Sequence, residues 1–228
     1  MAALPVPPSR TEQVYDAIVD EICRGELPGG TVLRQELLAE RFNVSRQPIQ
    51  QALLLLKSHG LVREVGKRSL EVVPLGEKLV VDLYEMRAVV DGLAARRAAT
   101  RHTDRDREYS VQLLAQGRQA MADRSFAHMI AADMEFHEHW IKAADNAFLT
   151  ESAAALFHSV RRVMGEILRH SGTPQWVWDD HRKIHEAIAA GDANTAEALA
   201  KEHAQHGTEL VLNAMKREGA PSLASNLK

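Results

Sequence analysis

Residues 38–53 read Leu38-Ala39-Glu40-Arg41-Phe42-Asn43-Val44-Ser45-Arg46-Gln47-Pro48-Ile49-Gln50-Gln51-Ala52-Leu53. Ser45 is a good helix N-cap, and Pro48 falls in the first turn that follows, where a missing N–H has no helical partner to lose. Ile49, Ala52, Leu53 and Leu56 then form a buried stripe, and Gly60 ends the helix. The turn Phe42-Asn43-Val44 joins it to a short helix from about Gln35 to Arg41. Before that, Thr11 is placed to cap a helix over Gln13–Arg24, with Val14, Ile18, Val19 and Ile22 inward and Gly25 followed by Leu27-Pro28-Gly29-Gly30 closing it. After Gly60, Leu61–Val65 and Leu70–Val73 alternate as two short strands around Gly66-Lys67-Arg68-Ser69. Three helices and a hairpin tipped with cations make a winged helix-turn-helix.

Charge agrees with that reading. The chain of 228 residues carries 28 Lys+Arg and 31 Asp+Glu, so a polyanion-binding surface has to be local. Residues 41–68 supply one: six bases (Arg41, Arg46, Lys57, Arg63, Lys67, Arg68) against the single acid Glu64. A helix N-terminus presenting Ser45, Arg46, Gln47 and Gln50 suits a major groove, where Arg bonds guanine and Gln adenine, while wing cations approach phosphate. The candidate DNA contacts are Arg34, Ser45, Arg46, Gln47, Gln50, Lys67 and Arg68. The competing reading is a winged helix used for protein contacts, with these bases as a solvated face.

At 45% hydrophobic and 5% aromatic residues the composition favours helices packed through small and aliphatic side chains. The lone cysteine, Cys23, excludes an internal disulfide and a multi-cysteine zinc site and lies in phase with the apolar stripe of its helix. The start Met1–Arg10 lacks the charged-then-apolar order of a signal peptide, and no apolar stretch approaches the roughly 18 residues of a membrane span. A cytoplasmic protein with no membrane partner is expected.

Of eleven histidines only His59 precedes Gly76. The rest fall in a segment that reads as six helices, 78–101, 104–122, 126–144, 147–170, 174–190 and 193–216, with breaks at Thr103-Asp104, Ser125, Asn146, Gly172-Thr173-Pro174 and Gly191-Asp192. The expected fold class is mainly α, an N-terminal winged helix-turn-helix over 9–75 and a C-terminal all-α helical bundle over 79–217, with a linker at 76–78 and a frayed tail at 218–228. Asp133 and His137 lie one turn apart on one helix face, and His181 and His203 stand 22 residues apart in the last two helices, a separation that lets an antiparallel pair oppose them. One carboxylate and three imidazoles suit Zn, Ni, Mn or Fe with positions left open. Spacing alone does not select these four.

Two stretches resemble known families. Residues 28–62, from Pro28-Gly29-Gly30-Thr31 through Leu38–Leu53 to Gly60-Leu61-Val62, are similar to the GntR-family pattern LA-x-x-LGVSR-x-PVREAL-x-x-L-x-x-x-GLV. Gln50 replaces the usual Arg, and the wing reads Gly66-Lys67-Arg68-Ser69 in place of Asn-Arg-Gly, so the operator of relatives does not carry over. Residues 79–215 resemble the FCD effector domain of the FadR-like subfamily: Arg87 in the first bundle helix, Asp133-Met134-Glu135-Phe136-His137, Asp180-His181-Arg182-Lys183-Ile184, and His203. The resemblance implies that Asp133, His137, His181 and His203 bind a divalent metal whose shell a small carboxylate completes.

A guanidinium forking to that carboxylate fits the chemistry, with Arg87 first and Arg161 or Arg162 second. Arg87 has a competing role as an intrahelical partner of Asp91. His185 and His206 are substitute ligands, and His139 lies two residues from His137. His102, His128, His158 and His170 read as surface or packing residues. Trp140, Trp176 and Trp178 read as core, with the run Trp176-Val177-Trp178, which opens the helix bearing His181, also placed to roof a pocket. The reading is a homodimeric DNA-binding transcription regulator on a pseudo-palindromic operator, with a small organic acid as effector and no enzyme activity; repressor is among its expected descriptions, and the sequence leaves activation open. The alternatives are a helical metalloenzyme fused to a winged helix and a DNA-binding protein with a structural metal. Against the first, Arg182 stands where a zinc peptidase needs Glu, and Glu135 and Glu138 share the ligand helix without facing the ligands.

Overall fold

The computed structural model describes residues 8–66, 69–171 and 174–217. Lys67, Arg68 and the tail from 218 lie outside them. The chain divides into two compact units between Pro74 and Leu75.

In the first unit, α1 (Arg10–Cys23), α2 (Gln35–Phe42) and α3 (Arg46–Ser58) surround a core of Val14, Ile18, Ile49, Leu53, Leu56 and Leu61. Truncating a side chain as enclosed as Leu53 to Ala costs about 2–5 kcal/mol. Cys23 packs in the same core. The cap of α1 is Ser9, not Thr11. Ser9 and Glu12 form a reciprocal capping box, and the Thr11 hydroxyl instead donates to Gln51 Oε1 of α3 at 2.8 Å. Asn43 ends α2 in the left-handed region (φ 51°), a conformation Asn tolerates better than most residues. The hairpin pairs β2 (Val62–Val65) with β3 (Ser69–Val72), Val65 opposite Ser69. A third strand, β1 (Val32–Leu33), adds to the outer edge of β3; two residues carry no readable alternation, so the sequence did not announce it.

The second unit contains α4 (Glu77–Ala99), α5 (Asp104–Ala122), α6 (Phe126–Ala143), α7 (Ala147–Ser171), α8 (Trp176–Ala189) and α9 (Ala193–Arg217). Residues 77 and 78, read as linker, are the first turn of α4. Helix α4 buries Val80, Leu83, Tyr84, Val90, Ala94 and Ala98, and the same stripe carries Arg87 and Asp91. Charges within an apolar stripe need partners. They find them in each other and in Asp133 and His137 of α6, and His181 of α8 and His203 of α9 are buried as well. Two glycines permit this packing. A Cβ on Gly117 of α5 would overlap the Trp178 ring, and one on Gly207 of α9 would meet Tyr84 Cε1 at 2.6 Å.

Candidate functional site

The first unit exposes Arg34, Ser45, Arg46, Gln47 and Gln50. Ser45 caps α3 by position but makes no side-chain cap bond. The usual donor to such a cap, the N–H of the third helical residue, is missing because that residue is Pro48. The hydroxyl and the first helical N–H groups therefore stay available at the positive end of the helix dipole. The cation footprint is smaller than composition suggests, because Arg41 pairs with Glu21, Lys57 with Glu64 and Arg63 with Glu71. Arg46 lies 3.7 Å from Glu36 with both side chains exposed, an association easily exchanged for phosphate or a base.

In the bundle, α6 brings Asp133 and His137 inward, α8 brings His181, and α9 brings His203. One ligand atom from each lies within 4.8 Å of all the others. His181 Nε2 is 3.2 Å from both His137 Nε2 and His203 Nε2, and 3.4 Å from Asp133 Oδ1. Ligand atoms bound about 2.1 Å from one ion are separated by about 3.0–3.4 Å, so these three spacings match a shared coordination shell. Asp133 Oδ2 is buried without a hydrogen bond, its nearest cation, Arg87 Nη2, standing 3.8 Å away. An unsatisfied carboxylate oxygen facing convergent imidazoles fits a divalent cation.

The packing and electrostatics favour the ligand-competent form. Phe136 stacks on the His181 ring at 4.4 Å and Trp178 meets it edge-on at 4.8 Å. Burial, with repulsion from His203, His137 and Arg87, pushes His181 well below the ordinary imidazole value. Burial likewise lowers His203 against the raising influence of Asp180. Both stay neutral near pH 7, as metal ligation requires.

Two carboxylates stand behind the ligands. Asp91 Oδ2 is 3.2 Å from His137 Nδ1, which holds that proton on Nδ1 and turns the Nε2 lone pair toward the cluster. Burial pushes the Asp91 carboxyl up, but His137 and Arg87 outweigh it and hold it down at about 2. Asp180 Oδ2 accepts from His206 Nδ1 at 2.9 Å and lies 3.8 Å from His203 Nδ1. Burial raises its carboxyl too, and His203, His206 and Lys183 together bring it below the usual carboxylate range. The sequence offered Asp91 only as a partner of Arg87; its second role depends on the α4–α6 contact.

Arg87 itself bonds Asp91 Oδ2 through Nε at 3.1 Å, and its Nη2 reaches His137 Nε2 at 2.6 Å. Burial opposes its charge, and Asp91 and Asp133 restore it. The pairing with Asp91 is thus present together with a guanidinium aimed at the ligand set. Arg87, Asp133 and His203 line a cleft with an empty volume of about 400 Å³, part of it open to solvent. Its other walls include Tyr84, Met164, Trp176, Val177, Leu210 and Val211. Neither Arg161 nor the buried Arg162 lines it. His206 is held by Asp180, and His185 bonds Ser110 at 3.0 Å, away from the four. Glu135 bonds Tyr109, and Glu138 lies beside Lys142; both are exposed. No helix among the described residues is long and apolar enough to cross a membrane.

Comparison with known proteins agrees with both units. Residues 10–72 match the bacterial regulatory proteins of the gntR family, and residues 82–206 match the FCD domain. A probable D-xylose utilization operon transcriptional repressor of Paenarthrobacter nicotinovorans is 30% identical over 84% of each chain. The HTH-type transcriptional repressor RspR of Escherichia coli K12 is 26% identical over 88% of each. Among solved structures, E. coli McbR/YncC shares the fold with a TM-score of 0.79 at 20% identity, covering 91% of this chain and 99% of that one. The matched family and the two relatives named by role are transcription regulators, which removes the metalloenzyme reading. The chain belongs to the GntR family of bacterial transcription regulators and carries an FCD domain.

Proposed function

We propose that this regulator is a homodimeric repressor whose affinity for a two-fold operator is set by a small carboxylate bound at a divalent-metal site formed by Asp133, His137, His181 and His203. The observation that carries the reading is the convergence of four buried ligand groups beside a buried guanidinium at one cleft. The metal supplies Lewis acidity toward a carboxylate oxygen. Arg87 supplies N–H donors for the same group: His137 would offer its Nε2 to the metal, and Arg87 Nη2, which meets that atom at 2.6 Å, would then be left to donate to an incoming anion. Repression is the role named for two of the relatives.

The homodimer has its own support. Met86, Val89 and Leu93 follow one another at helical spacing on α4 and are 50%, 59% and 40% exposed, an apolar stripe of the kind that marks protein contacts. The test is to strip and restore metal in purified protein while measuring operator binding with and without candidate acids. A carboxylate response that requires metal supports the reading, and a response indifferent to metal contradicts it.

A further inference from the structure

Which carboxylate fits follows from the cleft wall. Arg87, Asp133 and His203 are its strongly polar groups, and all three are engaged in the anchoring described above. Trp176 and Leu210 belong to the remaining described wall, which is otherwise aliphatic apart from Tyr84. Tyr84 is buried and lies under the Arg87 guanidinium at 5.4 Å, so it serves the head of the ligand rather than its tail. Among the described residues, the wall presents no second cation to a distal carboxylate and no row of donors and acceptors to a polyol. Asp91 and Asp180 already stand behind a ligand set that itself includes Asp133, so another anionic group also meets repulsion.

We propose that the effector is a monocarboxylate with an apolar tail, and that Leu210 and Trp176 set this preference. The proposal rests on the carboxylate reading above and narrows it. A distal hydroxyl or carboxylate gives up its water without finding a partner, whereas methylene groups exchange water for carbon surface. A wall whose described residues offer the tail no polar partner therefore ranks six-carbon acids by their tails.

The experiment uses the Zn²⁺-loaded full chain and calorimetric titration with acetate, hexanoate, adipate and gluconate. Hexanoate is expected to bind about tenfold or more tighter than adipate or gluconate, and tighter than acetate. Adipate or gluconate binding as tightly as hexanoate overturns the proposal while leaving the carboxylate reading in place. No binding by any of the four overturns both. In Leu210→Lys, checked for retained zinc, the preference should move toward adipate by about tenfold. A zinc-retaining variant with the wild-type ranking removes Leu210 from the assignment.

Discussion

His181 shows how much work one side chain asks of its neighbours. It is fully enclosed, kept neutral by burial, and held between Phe136 and Trp178, whose ring lies where a Cβ of residue 117 would be. Gly117→Ala should destabilise the bundle by about 1–3 kcal/mol, because the Trp178 ring has to move and its surroundings are packed. Melting temperature and metal content should fall together; an unchanged melt would contradict the packing account. Asp91→Asn keeps the shape but weakens the hold on the His137 Nδ1 proton. Metal affinity should drop about 10–100-fold, read by competition with a chelator, and full affinity would show that Asp91 does not orient the ligand. Arg46→Ala removes only a loose surface pair from the folded protein, so stability should hold while operator affinity falls by about 1–3 kcal/mol. Unchanged affinity would remove α3 from the groove.

At the level of elements, sequence signals worked where a helix is defined locally. Ser45, Pro48 and Gly60 delimit α3 because capping and ring chemistry act within a few residues, and the six bundle helices are punctuated the same way. Thr11 misled because two hydroxyls, Ser9 and Thr11, stand near the start of α1, and only Ser9 has Glu12 three residues on to complete a capping box. The four proposed metal ligands show the limit of spacing. Asp133 and His137 share a face by helical geometry alone, but His181 and His203 meet them only through the packing of α8 and α9 against α4 and α6, and His185, the substitute one turn from His181, carries its ring to Ser110 instead. The Arg87–Asp91 pair was visible as an i,i+4 pattern on α4; that the guanidinium also reaches His137 was not.

Across the whole bundle, stability at a given pH depends on buried imidazoles, two of which, His181 and His203, belong to the proposed metal site. His181, His203, His139 and His185 all lie below the ordinary imidazole value, with burial the leading cause in each. A group whose folded value is lower than its unfolded value, near 6.5, leaves stability intact above that pH. The stability is lost as pH falls, because the unfolded chain takes the proton first. The melting temperature of the metal-free protein should therefore decline from about pH 7.5 to about pH 5.5, and a flat profile would contradict burial of neutral rings.

Under the proposed function, control of DNA binding by the bundle is a coupling free energy, commonly 5–150-fold in affinity, and reciprocal: an acid that loosens DNA would bind the DNA-bound protein more weakly by the same factor. The guanidinium has to be tested without stranding its partner. Arg87→Met would leave the buried Asp91 charge uncompensated, at a cost of about 3–5 kcal/mol, whereas Arg87→Lys keeps a cation and loses the planar fork.

The decisive measurement is operator affinity, on a duplex selected in vitro, with and without saturating hexanoate, for metal-loaded wild type, metal-stripped wild type and metal-loaded Arg87→Lys. The account predicts a clear shift in affinity for metal-loaded wild type and little or none for the other two. An equal shift in the metal-stripped protein, or none in a metal-loaded wild type that binds the acid, would contradict it.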